Sequence, residues 1–255
     1  MTFVSLHPAI VFVLTFAVLW LAAWAGARYR HGRPMAAETR QDYNLVLAAS
    51  LTLLGLLIGF SFSMSASRYD QRKNLEAAEA NAIGTAFLRA DLLETADRTR
   101  LRTMLVRYVE LRIRYYRAGQ ADVASIDAET ARLQNEMWTA VTGAAKQRAD
   151  AMAALMVAGM NDVINAQGYT QAAWWNRLPT AAVLMMAAIA LGCNLMIGYG
   201  APSITPRNPL LAVLPLLVAV AVCLIDDIDT PRHGLIEVMP RNLTALLDSL
   251  KQSGP

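Results

Sequence analysis

Charge is what this sequence lacks over long stretches. No ionisable side chain occurs from Pro8 to Ala27, and none but the tyrosine itself from Tyr43 to Ser67. Asp, Glu, Lys, Arg and His are also missing from Leu178 to Gly200 and from Pro209 to Ile225. Each gap approaches or exceeds the roughly 20 residues that a bilayer-spanning helix needs. Four transmembrane helices are therefore expected, at about 8–27, 44–66, 178–199 and 209–225. A composition of 55% apolar and 17% charged residues agrees with a chain that is only partly in lipid. Pro215 falls inside the fourth span, where neighbouring helices can satisfy the carbonyl it frees.

Other scarcities exclude whole classes of function. The two cysteines, Cys193 and Cys223, lie in expected spans and form neither a C-x-x-C pair nor a zinc pattern. His7, His31 and His233 are scattered, with no second acidic motif to build a catalytic centre, so an enzyme is not expected. The net charge of +3 is small and the arginines are not gathered beside stacking aromatics, which argues against nucleic-acid binding. Ala23-Trp24-Ala25 looks like a signal cleavage site, but no basic segment precedes the first apolar run. Arg28, Arg30 and Arg33 follow it, so a retained anchor is expected.

Residues 67–177 differ in character. Ser67–Ala118 has no proline and, apart from Gly84, no glycine. Its apolar residues recur at helical spacing: Leu75, Ala78, Ala82, Ala86, then Leu101, Leu105, Tyr108 and Val109. A break is expected at Arg117-Ala118-Gly119-Gln120, with Ser125 capping a second helical stretch over about 126–177. Gly143, Gly159 and Gly168 divide or bend that stretch, and Trp174-Trp175 read as interface anchors before the third span. Asn161, Asp162, Asn165 and Gln167 form a polar knot suited to inter-helix hydrogen bonds. The reading is an all-α membrane protein with a large helical extramembrane domain between the second and third spans and a tail over 226–255. The domain's apolar stripe needs cover, which sister subunits would supply.

The second span carries two rows of residues four apart, each on one helix face. Gly55, Gly59, Ser63 and Ser67 form a small-residue row that lets another helix approach closely in lipid. Thr52, Leu56, Phe60 and Met64 form a bulky, mostly apolar row beside it, and Ser61 and Ser65 add a polar flank. A helix facing lipid all round has no use for these serines, so part of it faces protein or water.

The stretch IGFSFSMSASRYDQRKNL (58–75) resembles the bestrophin pattern of a Gly-Phe on the pore helix, small or polar residues, a Ser/Thr-Arg-aromatic group and a nearby Asn-Leu. The chain is more similar still to the bacterial bestrophin-like membrane proteins. That likeness rests on residues 59–93, on RYVELRIRYY (107–116) and on DDIDTPRHGLIEV (226–238). The resemblance implies a homopentamer in the bacterial inner membrane, with second helices surrounding a central path for inorganic ions. Bestrophins narrow that path with large side chains one turn apart. Aligning on Gly59-Phe60 puts Phe60 and Leu56 at two of these positions and Thr52 at a third, which is usually apolar. The competing reading is a non-conducting oligomeric scaffold that presents its helical domain to a partner, with the 52–64 row packed inside one subunit.

From Ser67 to Gln120 eleven Arg/Lys oppose seven Asp/Glu, a surplus that would concentrate anions. Pairs at helical spacing, such as Glu94 with Arg98 and Glu110 with Arg114, offer a plainer reading. Asp226, Asp227 and Asp229 are candidate oxygen ligands for calcium, or caps and arginine partners. Orientation is assigned oppositely by two arguments. Bestrophins keep the helical domain in the cytosol, whereas Arg28, Arg30, Arg33 and Arg40 in the short first loop would place that loop inside.

Overall fold

The computed structural model describes residues 7–30, 35–119, 121–147, 150–200, 208–232 and 234–253, and these residues contain helices and no strand. His31, Arg33, Gln120 and His233 lie outside the described residues. Among the described residues eight α-helices follow in order: α1 Pro8–Arg30, α2 Ala37–Arg89, α3 Thr95–Arg117, α4 Val123–Gln147, α5 Ala151–Trp175, α6 Thr180–Gly200, α7 Val213–Asp229 and α8 Arg241–Ser253. Short 3₁₀ turns at Ala90–Leu92 and Pro209–Ala212 precede α3 and α7. Among the described residues four helical stretches are long and apolar enough to cross a membrane, and they contain the four tracts that lack charge.

The chain forms two compact units, one of residues 1–68 and 177–236, the other of 69–176 and 237–255. In the first, α1 packs against α6 and α7. The α1–α6 contact is made by backbone: a Cβ on Gly26 would meet the Leu195 carbonyl, and one on Gly198 the Ala23 carbonyl. Small residues therefore do bring two apolar helices together here, but they are Ala23, Gly26 and Gly198 rather than the glycines of α2. Leu19, Leu54, Met186, Ala190, Cys193, Val218 and Ile225 form the unit's main apolar cluster. Pro215 lies within the Pro209–Asp229 stretch, in the first turn of α7 just after the 3₁₀ turn, where a missing N–H is tolerated.

The second unit departs from the expected two-stretch layout. The first stretch is broken at Ala90–Glu94, and the second between Gln147 and Ala151, where Asp150 accepts the Ala153 N–H as an N-cap at 2.9 Å. Gly143, Gly159 and Gly168 all sit inside helices. Ser125 lies within α4, its hydroxyl donating back to the Asp122 carbonyl, and does not cap it. Trp174 is not an interface anchor but a core residue, edge-on to Tyr115 and Tyr116, while Trp175 is exposed. The apolar stripe is covered from within the chain. Leu243, Leu246, Leu247 and Leu250 of α8, at helical spacing, join the core of Ile83, Phe87, Leu105, Tyr108, Met137 and Met160.

Candidate functional site

In α2, Leu56, Phe60 and Met64 are 53%, 62% and 43% exposed, and Thr52 is exposed as well. The Thr52 hydroxyl donates to the Ala48 carbonyl at 2.9 Å, so its proton is committed to its own helix and its methyl group and oxygen remain. Gly55, Gly59, Ser63 and Ser67 are exposed too, and no atom lies within 4 Å of a Cβ built on either glycine. The other side of the helix is buried in the unit through Leu54, Ser61 and Ser65. The two serines read as a flank are thus core residues, and the hydroxyl of Ser65 has no partner.

Where α2 leaves this row, Arg68 approaches the Sδ of Met64 at 3.6 Å and the Oδ1 of Asp229 at 3.4 Å. The Oδ2 of Asp229 accepts the Leu178 N–H at 3.0 Å. Asp227 turns to a different place, accepting Leu235 N–H at 2.8 Å and Ile236 N–H at 3.0 Å. Asp227 and Asp229 therefore serve different partners, and no set of three His, Cys, Asp or Glu among the described residues, Asp226 included, is arranged to hold a metal ion.

In the second unit a line of buried charges runs along α2 and ties it to α3, α5 and α8. Arg72 donates to the carbonyls of Ala173 and Asn176 at 3.2 and 3.1 Å, capping the end of α5. Glu76 accepts Leu243 N–H at 2.9 Å and the Asn242 amide at 2.5 Å, capping the start of α8. Glu79 accepts from Arg112 of α3 at 2.5 Å and from the Thr170 hydroxyl of α5 at 3.2 Å. Burial pulls the Arg112 guanidinium down, but the Glu79 carboxylate beside it prevails and raises it above its ordinary value. Burial, and then the charge of Glu79, pushes the phenols of Tyr108 and Tyr116 well above the usual range.

Sequence reasoning missed this line by treating charges on amphipathic helices as solvated. The available signal was Arg72, Glu76 and Glu79 at positions i, i+4 and i+7, with Ile83 continuing the same face into the core. The surface pairs also differ. Arg114 and Arg107 both reach Glu129, and Glu110 meets Lys251 at 2.8 Å. The polar knot contributes one layer between α4 and α5, in which Gln134 donates to Gln167 at 3.4 Å and to the Tyr108 hydroxyl at 2.9 Å.

None of the curated proteins matches the chain. Among solved structures, it is similar to a bacterial bestrophin homolog from Klebsiella pneumoniae carrying a single substitution. The TM-score is 0.64 and identity 15%, with 96% of each chain covered. A second variant of that protein gives a TM-score of 0.63 at 14% identity over 94% of both chains. A third gives 0.61 at 15% identity over 94% of this chain and 96% of that one. At such identities the likeness speaks for the fold. The model of the bestrophin-like domain matches residues 13–243, nearly the whole chain, and this membrane protein therefore belongs to the bestrophin-like family.

Proposed function

We propose that the protein is an ion channel of the bacterial inner membrane. Five copies surround an axis lined by α2, and the Tyr69–Asn176 helices lie outside the bilayer. The supporting observation is the exposure of the Thr52, Leu56, Phe60 and Met64 row, while Leu54 on the same helix is buried in its own unit. A scaffold with that row packed against its own spans would show the opposite pattern. Rings of Phe60, Leu56 and Met64 make a constriction that holds water poorly and gates ions by dewetting, with Thr52 adding a less apolar ring. The glycine row supplies the flat surface along which neighbouring copies of α2 approach.

Anions are favoured over cations. The basic surplus between Ser67 and Gln120 survives the burial of Arg72 and Arg112, because Glu76 and Glu79 are buried with them. The test is ion flux from liposomes holding the purified protein, with chloride and sodium gradients run separately and a Phe60→Ala variant alongside. Chloride flux that increases in the variant is expected. Unchanged flux in a variant of intact oligomeric size removes the neck from this row, and no flux from verified assemblies under any gradient favours the scaffold.

A further inference from the structure

At the end of α1 one donor of a guanidinium is enclosed without a hydrogen-bond acceptor. Arg30 is 9% exposed, and its Nη1 is shut off from solvent with no acceptor in reach. The other buried charges of the described residues, Arg72, Glu76, Glu79, Arg112, Asp227 and Asp229, each make at least one hydrogen bond, and Arg112, whose Nη1 is also unpartnered, has its charge met by Glu79. The carbonyl end of a helix favours a cation, which accounts for the charge of Arg30, but none of those carbonyls accepts from Nη1.

The surroundings of Arg30 are aromatic and neutral. Its guanidinium carbon lies 5.3 Å from the centroid of the Tyr199 ring. Tyr29 and Tyr43 stand 6.1 and 5.8 Å from that ring, and the Tyr43 hydroxyl is committed to the Met196 carbonyl. Exposed Arg28 adds a second positive charge in the same helical turn. Glu38 and Asp42, the nearest acidic residues in sequence, are exposed and make no ion pair with Arg30.

A buried guanidinium with an idle donor is destabilising until an oxyanion meets it, and its planar fork fits the oxygens of a phosphate better than any neutral group. Because α1 is apolar enough to span a bilayer and ends here in basic residues and tyrosines, the position belongs at headgroup depth. We propose that Arg30, with Tyr29 and Tyr199 around it and Arg28 as a second charge, binds a phosphate group, and that an acidic phospholipid of the surrounding leaflet supplies it. This site does not depend on the pore reading.

The experiment uses the full-length protein, delipidated in detergent and then offered phosphatidylglycerol, phosphatidylcholine or inorganic phosphate. Retained lipid is counted by native mass spectrometry and melting temperature is followed in parallel. Phosphatidylglycerol is expected to be retained and to raise the melting temperature, with phosphatidylcholine weaker. Arg30→Gln should weaken retention by about tenfold or more, as for removal of one partner of a buried charge contact. Arg30→Lys should keep part of it, and Arg28→Gln most of it. Without lipid, Arg30→Gln should melt no lower than the parent, because it removes an unpaired buried charge. Retention unchanged in Arg30→Gln overturns the site. Equal stabilisation by inorganic phosphate keeps the phosphate chemistry and overturns the lipid as its source. A lipid-free Arg30→Gln protein that melts far below the parent shows Arg30 to be structural and also overturns the proposal.

Discussion

Glu79 and Arg112 are both wholly buried, and the carboxylate holds the guanidinium through Nε at 2.5 Å and Nη2 at 3.5 Å. One comes from α2 and the other from α3, so the pair fixes the register of two helices that the sequence joins through a 3₁₀ turn. Removing one member leaves an uncompensated charge in the core. Arg112→Met or Glu79→Gln should therefore cost about 3–5 kcal/mol, whereas replacing both by apolar residues of similar volume should cost far less. Chemical unfolding of the single and double variants checks this. A double variant as unstable as the sum of the singles refutes the account.

Tyr108 and Tyr116 make the same core sensitive to alkali. Unfolded phenols ionise near their ordinary value of 10.0, while burial and then the Glu79 charge hold both phenols protonated above it in the fold. Above that pH the folded state keeps protons that the unfolded state has lost. Their contribution to stability is thus complete below about pH 10 and declines as pH rises beyond it. Melting temperature should fall steeply above that point, together with the appearance of tyrosinate absorbance. Tyr108→Phe should flatten the fall, and an equally steep profile in that variant would count against the assignment.

The spans were legible because absence of charge over about 20 residues has few other physical meanings. The breaks in the second unit were less so. Ala90–Glu94 has no glycine or proline, and α2 ends there because Ala90, Leu101 and Leu105 close into one core, a tertiary cause with no local signature. The role of α8 was hidden for a related reason. Its stripe of Leu243, Leu246, Leu247 and Leu250 has the helical period, but nothing local tells that Glu76, over 160 residues away in sequence, caps it. The exposed row of α2 was readable because spacing alone places Thr52, Leu56, Phe60 and Met64 on one face. What that row faces in an assembly depends on other copies of the chain.

The acidic last turn of α7 is expected to be held by protein groups. Asp227 accepts two backbone N–H groups of the following loop, and Asp229 joins Arg68 to Leu178. Chelators should leave the melting temperature unchanged. Asp227→Ala should lower stability by about 1–3 kcal/mol, since it strands two N–H donors, and should expose the loop around Gly234 to proteolysis. Calcium that raises the melting temperature of the parent but not of Asp227→Ala would show these carboxylates serving a cation instead.

The glycines of α1 and α6 differ from those of α2 in what surrounds them. Gly26 and Gly198 meet backbone of the facing helix, so an added methyl has nowhere to go unless α1 and α6 move apart. Gly26→Ala should destabilise the protein by about 1–3 kcal/mol or more, as overpacking does. Gly55 and Gly59 have open space around them within one chain, so alanine there should leave the subunit as stable as before, or raise its stability by up to about 1 kcal/mol through helix propensity. If α2 meets α2 of a neighbour along this row, the cost of Gly55→Ala and Gly59→Ala appears only in assembly. Light scattering should then show smaller or dissociated oligomers while helical content is retained. Oligomers of parental size with parental flux in the Gly55→Ala, Gly59→Ala double variant would mean that the row is not a contact between copies.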